Sequence, residues 1–388
     1  MQSKMEENQE NQVGLFGSSL EDESVERELV DADDLLMEKP FDPTKINIET
    51  KTPSLDTLIN RIKENEIQMD TTTYFQRQDD LWDVVKQSRL IESILIRFPL
   101  PAFFFDASDD SNWLVVDGLQ RLSSIRNFCV TQSLKLTNLE FLTQLNGKKW
   151  TDLSGDLKRV IREAQVVIYK IMPGTPTDVK FNIFKRINTG GLVLEAQEIR
   201  HALFQGKPAQ FIAELGKNEA FLRATDWRIK THRMLDRDFA NRFLAFYLFG
   251  YESYTPDLDT FMSKAMASID QLSQQELDKI TYDYTEAMNT AYSIFREETF
   301  RKIYRDYSRL PPINKALFDA IATQFALLST VERTALVEKG DEFKRALYSL
   351  LNEDQYFFTA VTSSTGDRNR VIHRQSQVKN LIVQTLLS

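Results

Sequence analysis

Two hydrophobic periods alternate along the first half of the chain. Leu55, Leu58, Ile59 and Ile62 recur at helical spacing and predict a helix over 54–65. Ile67 to Tyr74 reads as short and extended. Leu81, Val84, Val85, Leu90, Ile91, Ile94 and Leu95 then predict one or two helices, stopped at Pro99 and Pro101 because proline cannot continue the ladder. Ala102 to Phe105 reads as a buried strand, and Trp113 to Val116 as its hairpin or neighbouring partner across the polar turn DASDDSN. At Asp117-Gly118 the pattern turns, and from Leu119 it is helical. A connector of mixed polarity covers Lys135 to Trp150, and Arg159 to Met172, containing QVVIYKIM, predicts another strand. Phe181, Phe184 and Ile187 mark a helix ending at Asn188-Thr189-Gly190-Gly191, as expected of a glycine C-terminus. Leu194 and Glu195 open the next helix. From about 206 onward apolar residues recur at three and four, as in Phe239, Phe243 and Tyr247 or Leu317, Ile321 and Phe325, so the second half reads as all-helical.

Charge is unevenly placed along these elements. The net charge of -9 resides in residues 1–40, which hold twelve acidic side chains against Lys4, Arg27 and Lys39; the remainder is balanced. This leader is expected to be a disordered, solvated tail with at most a short helix over 20–38, the alternative being that it folds back on a basic surface. A neutral body carries no global nucleic-acid footprint, so any DNA contact must come from local patches. No apolar run approaches the roughly 20 residues that span a bilayer. The polar, acidic N-terminus is unlike a secretory signal, and a lone cysteine, Cys129, suits a reducing compartment, so a cytoplasmic location with no membrane partner is expected.

The segment WLVVDGLQRLSSIRNF, Trp113 to Phe128, holds the most informative chemistry. A glycine at a strand-to-helix turn is followed by an arginine in the first helical turn, where backbone N–H groups and the helix dipole favour an anion. Gly118 would let the backbone approach a ligand, Arg121 would offer a fork to phosphate oxygens, and Asp117 would hold Mg²⁺ or orient a water. The competing reading is an ordinary helix cap. A second unusual run, FNIFKRINTGGLVLEAQEIRHALF over 181–204, reads as a helix–turn–helix corner with a solvated charged face, although Arg186, Asn188 and Thr189 beside two glycines can also cup a ligand.

Taken together, FQR at 75–77, IESILIRFPLPAFFF, VVDGLQRL and FKRINTGGLVLEAQEIRHALF resemble, in order and spacing, the N-terminal domain of GmrSD-type restriction endonucleases. That domain is ParB/sulfiredoxin-like and also occurs in SspE-type phosphorothioate-sensing defence proteins. The resemblance covers roughly residues 50–205, and this chain has Leu119 where the family's D-G-Q-Q-R motif has its first glutamine. It implies an α+β fold: a tail over 1–40, a ParB/sulfiredoxin-like nucleotide-binding domain with a small sheet over 41–205, and an all-helical domain over 206–388. It further implies a nucleoside-triphosphate-binding, NTP-hydrolysing module of a DNA-surveillance or phage-defence system. Such a module would work with Mg²⁺, DNA and a separate nuclease or other effector. The alternative is a non-hydrolysing, nucleotide-switched DNA-binding protein of ParB-like type. Carried across, Asp117, Gln120 and Arg121 are the hydrolysis group, with Mg²⁺ at Asp117. Gln76, Arg77, Gly118, Arg121, Arg186 and Asn188 line the phosphate site. The chain contains neither G-x-x-x-x-G-K-[ST] nor G-x-G-x-x-G.

Nuclease chemistry and DNA contact are judged separately. Full GmrSD-type proteins resemble fusions to an HNH nuclease, whose metal site needs clustered histidines. Here His201, His232 and His373 stand far apart with no such signature, so cleavage by this chain is not expected. Two basic stretches supply candidate phosphate-backbone contacts: Arg228, Lys230 and Arg233 in one, Arg368, Arg370 and Arg374 in the other. Each is also readable as a solvated helix face.

Overall fold

Short strands that are apolar on both sides need cover on both sides, and the helices of the N-terminal half provide it. The computed structural model describes residues 24–26, 28, 43–69, 82–187, 194–303 and 309–388. Five strands form one mixed sheet: β1 (Ile48–Lys51), β2 (Ile67–Gln68), β3 (Phe103–Asp106), β4 (Trp113–Asp117) and β5 (Ile168–Ile171), in the order β1-β5-β3-β4-β2. β3 and β4 form the expected antiparallel pair, β5 joins β3 in parallel, and β1 and β2 close the two edges. Alternate residues serve alternate faces, as the two-residue period of a strand requires. Phe103, Phe105, Trp113, Val115 and Ile168 enter one core, whereas Leu114, Val116 and Ile171 enter the other.

Helices α1 (Leu55–Lys63), α2 (Val84–Leu95), α3 (Leu119–Ile125) and α4 (Gly155–Glu163) cover the first face with Leu58, Ile62, Ile91, Ile94, Leu122, Ile125 and Ile161. On the second face lie α5 (Thr177–Ile187) and α6 (Ala196–Leu203), through Phe181, Phe184 and Ile199. The connector from Lys135 to Trp150 has almost no regular structure, yet it is anchored. The buried Glu92 carboxylate accepts the amide N–H groups of Glu140, Phe141 and Leu142 at 3.0, 2.7 and 2.8 Å. Charge-assisted bonds of this kind fix a loop as firmly as a ladder would. The strand expected over Arg159 to Met172 is shorter than its apolar pattern. Ser154 caps α4, which turns Ile161 inward and runs to Glu163, leaving only Ile168–Ile171 as strand. β1 was not anticipated: Ile48–Lys51 is an edge strand with two exposed polar residues and no alternation to read.

The second half is helical, as expected. Ten helices follow: α7 (Lys207–Gly216), α8 (Glu219–Ala224), α9 (Leu235–Phe249), α10 (Leu258–Ser268), α11 (Gln274–Phe295), α12 (Lys315–Ala326), α13 (Thr330–Glu338), α14 (Gly340–Glu353), α15 (Gln355–Thr362) and α16 (Arg368–Leu387). α12 is their centre. Every residue from Ala316 to Ala326 is buried, with α9, α11, α15 and α16 packed around it. The sheet half and this body are joined by buried charge. Arg200 on α6 donates to Asp259 at 2.9 Å and Asp238 at 3.2 Å, and those carboxylates also accept from Lys185 and Lys315.

Part of the acidic leader is not solvated tail. Of its described residues, Val25 forms a parallel bridge with Ile313, and Glu26 N–H donates to the Ile313 carbonyl at 2.8 Å. Glu26 binds Lys302 and, at 3.0 Å, Asn314. Glu28 accepts both terminal nitrogens of Arg242, at 2.8 and 2.9 Å, and the Thr365 hydroxyl. Below it, Arg242 and Arg374 share the fully buried Asp319. Ser24 lies in a turn and Val25 in a bridge, so the short helix expected over 20–38 is absent at Ser24–Glu26 and at Glu28; the rest of that span lies outside the described residues. The pairing satisfies backbone and carboxylate together, which a solvated helix would not.

Burial alone would raise the Glu28 carboxyl, but Arg242 and Lys315 outweigh it and pull the pKa down to about 2 from 4.5. A depressed carboxylate stabilises the fold fully above its unfolded value and loses that contribution as pH falls through its folded one. Denaturant unfolding across acid pH is therefore expected to show Glu28→Gln less stable than the wild type above about pH 4.5, with the gap closing toward about pH 2. A gap independent of pH would contradict this.

Candidate functional site

At the end of β4 the chain must leave the sheet and enter a helix within one residue. Gly118 does this in the left-handed region, φ 101° and ψ 10°, as the N-cap of α3. The Phe103 ring lies where a side chain would be: a Cβ built on Gly118 would stand 2.5 Å from Phe103 Cδ1. Glycine is thus required by backbone conformation and by packing within the sheet, a different reason from the ligand approach expected for it. Leu119, the residue that departs from the family motif, packs against the core formed by α1–α4.

Arg121 was expected to face phosphate, yet its guanidinium points back at the sheet. It is 8 % exposed, lies over the Phe103 ring, and donates to the Asp117 carboxylate at 2.8 Å, to the Ala102 carbonyl at 3.2 Å and to the Pro101 carbonyl. Burial lowers its pKa against the opposing pull of Asp117. Proline 101 ends the segment before β3, so the arginine ties the entry of one strand to the exit of the next. Gln120 is engaged as well: its side-chain carbonyl accepts the Trp82 N–H at 3.0 Å, and Trp82 begins a polar line through Gln87 to Asn127. Asp117 is the most exposed charged group of the turn, with about a quarter of its side chain open to solvent.

Lys180, near the start of α5, pairs with Asp106 at 2.9 Å, and Asp106 lies opposite Leu114 at the start of β4. α5 packs on β4; Arg186 near its C-terminal end is exposed, and the neighbouring Lys185 pairs with Asp259 of the helical body at 2.7 Å. Gln76, Arg77 and Asn188, the other residues expected at the site, lie outside the described residues.

Residues 55–205 match the family model of the GmrSD restriction endonuclease N-terminal domain. Over these residues the chain is similar to that domain. No curated protein and no solved structure matches the chain. In α6, the last helix within the matched residues, the charged face expected to be solvated proves buried. Glu198, Arg200 and His201 are 0, 1 and 6 % exposed. Glu195 and Glu198 form a capping box, a spacing readable from the sequence, and Glu198 also pairs with Arg233 at 3.1 Å. His201 stacks its ring nitrogens against Arg237 at 3.0 and 3.2 Å. A cavity of about 200 Å³ beside them, lined by His201, Gln205, Gln210 and Arg237, shares no residue with the Asp117 turn.

Among the DNA candidates, Arg228, Lys230 and Arg368 are exposed. Arg233 is held by Glu195 and Glu198, and Arg370 donates to the Ser363 carbonyl at 2.7 Å. Arg374 is not a surface residue: it is fully buried, donating to Asp319 and the Thr365 carbonyl, because the helix face that carries it turns toward α12. Cys129 is buried, which pushes its thiol up to about 12. Among the described residues no three His, Cys, Asp or Glu side chains are grouped as metal ligands, and no helix is long and apolar enough to cross a membrane.

Gly118→Ala is expected to cost more than Gly174→Ala. Both sites have positive φ, but a Cβ at Gly174 meets nothing within 4 Å. Strain alone costs about 1–3 kcal/mol, and displacement of Phe103 adds to it at Gly118 only. Denaturant midpoints of the two variants, measured side by side, test this; equal losses would refute it.

Proposed function

We propose that the GmrSD domain binds a nucleoside triphosphate with Mg²⁺ at the Asp117–Arg121 turn and hydrolyses it. Turnover is coupled to surveillance of DNA in a restriction-type or phage-defence system with a separate effector. The observation that carries the reading is the family match, which spans both the strand–turn–helix of Asp117 and the second motif that ends α5. Magnesium is ordinarily held by one or two carboxylates together with substrate phosphates and water, so a single exposed aspartate fits it when nucleotide is bound. Asp117 would hold the ion, which supplies charge neutralisation at the phosphates. The N–H groups that open α3 would receive phosphate oxygens, and Arg186, Asn188, Gln76 and Arg77 would line the site. Arg121 acts through Asp117, donating to one of its carboxylate oxygens.

One observation favours the non-hydrolysing reading. Gln120 and Arg121, two of the three groups assigned to hydrolysis, are both bound to the protein itself. In that case nucleotide binding changes shape and DNA affinity without turnover. Phosphate release from GTP, CTP and ATP with Mg²⁺ separates the two. Turnover that falls about a hundredfold or more in Asp117→Asn is the expected result. Tight binding without release, lost in Asp117→Asn and weakened in Arg121→Lys, would establish the switch instead. Neither binding nor turnover with any nucleotide would overturn both.

A further inference from the structure

Where α6, the turn after it, α7 and α9 meet, they leave a cavity of about 200 Å³. Two alanines keep it open. Ala209 and Ala213, four residues apart on one face of α7, present only methyl groups to the space. Other walls come from His201 of α6 and Arg237 of α9, 6 and 7 % exposed, with Arg237 Nη1 at 3.0 and 3.2 Å from the imidazole nitrogens. Gln205 and the exposed Gln210 complete the polar lining. Gln205 also donates to Gln68 Oε1 of β2 at 3.1 Å, so the sheet edge reaches the same place. Ligand sites concentrate where separate units meet in this way.

The chemistry of the lining selects the ligand. Among the described residues no Asp or Glu lines the cavity, whereas a guanidinium and two side-chain amides do, all of them N–H donors. Burial lowers the Arg237 pKa against the pull of Asp236, so an anion entering here would meet a positive charge withdrawn from water, where attraction is strongest. Size narrows the choice further. A cavity of roughly 150 Å³ holds a benzene ring, so this one takes a molecule of about six to nine non-hydrogen atoms. A nucleoside triphosphate is several times larger and is excluded. We infer that the cavity binds a small monocarboxylate, its carboxylate on the Arg237 fork and its apolar body against Ala209 and Ala213. Planar carboxylates match a guanidinium fork in two parallel bonds. A phosphate would take the same donors but leave the alanines uncovered. The inference goes beyond the proposed function and uses no residue of the Asp117 turn.

The test is calorimetric titration of the full-length chain. Benzoate and butyrate are the probes, inorganic phosphate the bare oxyanion, and benzamide the uncharged match to benzoate. Benzoate is expected to bind saturably, with a dissociation constant of about 1 mM or tighter. Benzamide should bind about tenfold more weakly or worse. Ala213→Leu, which grows into the cavity from a half-buried position, should weaken benzoate about tenfold or more. If that variant does not fold, Gln210→Glu places a negative charge on an exposed lining residue instead. It should weaken benzoate about tenfold and leave benzamide unchanged. Asp117→Asn should bind benzoate as the wild type does. Absence of saturable binding by both carboxylates overturns the inference, as does phosphate binding in their place. Benzamide binding as tightly as benzoate, or benzoate binding retained in a folded Ala213→Leu, overturns it equally. A loss in Asp117→Asn would move the carboxylate to the turn and overturn it too. Failure of nucleotide binding at Asp117, with benzoate still bound, refutes the proposed function alone.

Discussion

A guanidinium cannot shed its proton inside a protein, and this constraint organises the molecule. Arg200, Arg242 and Arg374 are the three largest side chains that are fully buried. Each must be met by carboxylates or carbonyls, since a lone buried charge costs far more than its packing returns. Arg200 draws Asp238 and Asp259 to α6 and so fixes the sheet half against α9 and α10. Arg242 and Arg374 draw Asp319 to the centre of the body and Glu28 out of the leader. Buried charge therefore ties the acidic N-terminal segment to the centre of the body and, through Asp259, ties α5 and α6 to the same body.

What could be read from the sequence follows from how local its cause is. The β3–β4 pair, the turn at Gly118 and the helices that cover the sheet, α4 apart, were legible because each is set by a period of two or near four and by its own stop signals. So was the α+β class with a helical second half. The direction of a charged side chain was not. Arg121 in a first helical turn looks the same whether it faces solvent or the carbonyls of Pro101 and Ala102, which lie across the sheet. Arg374 sat among four basic residues and read as surface, because nothing near it in sequence announces Asp319, 55 residues away. Glu26 and Glu28 belong to a composition that ordinarily stays solvated, and their partners stand more than two hundred residues downstream. Conversely, the capping box at Glu195 and Glu198 was there to be read and passed for a solvated face.

The turn itself is more an element of the sheet than a loop laid over it. Phe103 fixes Gly118, Arg121 clasps Asp117 and the chain entering β3, and Gln120 holds the amide that precedes α2. Rigid support of this kind lets one carboxylate be presented with little freedom, the condition under which a binding group is effective. It also means that a shift of Asp117 would be passed directly to β3, β4 and α2.

The burial of α12 has a consequence for how the body comes into being. A helix apolar or paired on every side has no face that survives in water alone, and its cover comes from α9 and α11 before it and from α15 and α16 after it. The body therefore cannot grow outward one helix at a time, each stable on the last. Until α16 closes over Asp319, the middle of the body is an unfinished vault, and its first halves and last helices must set together as a keystone sets an arch.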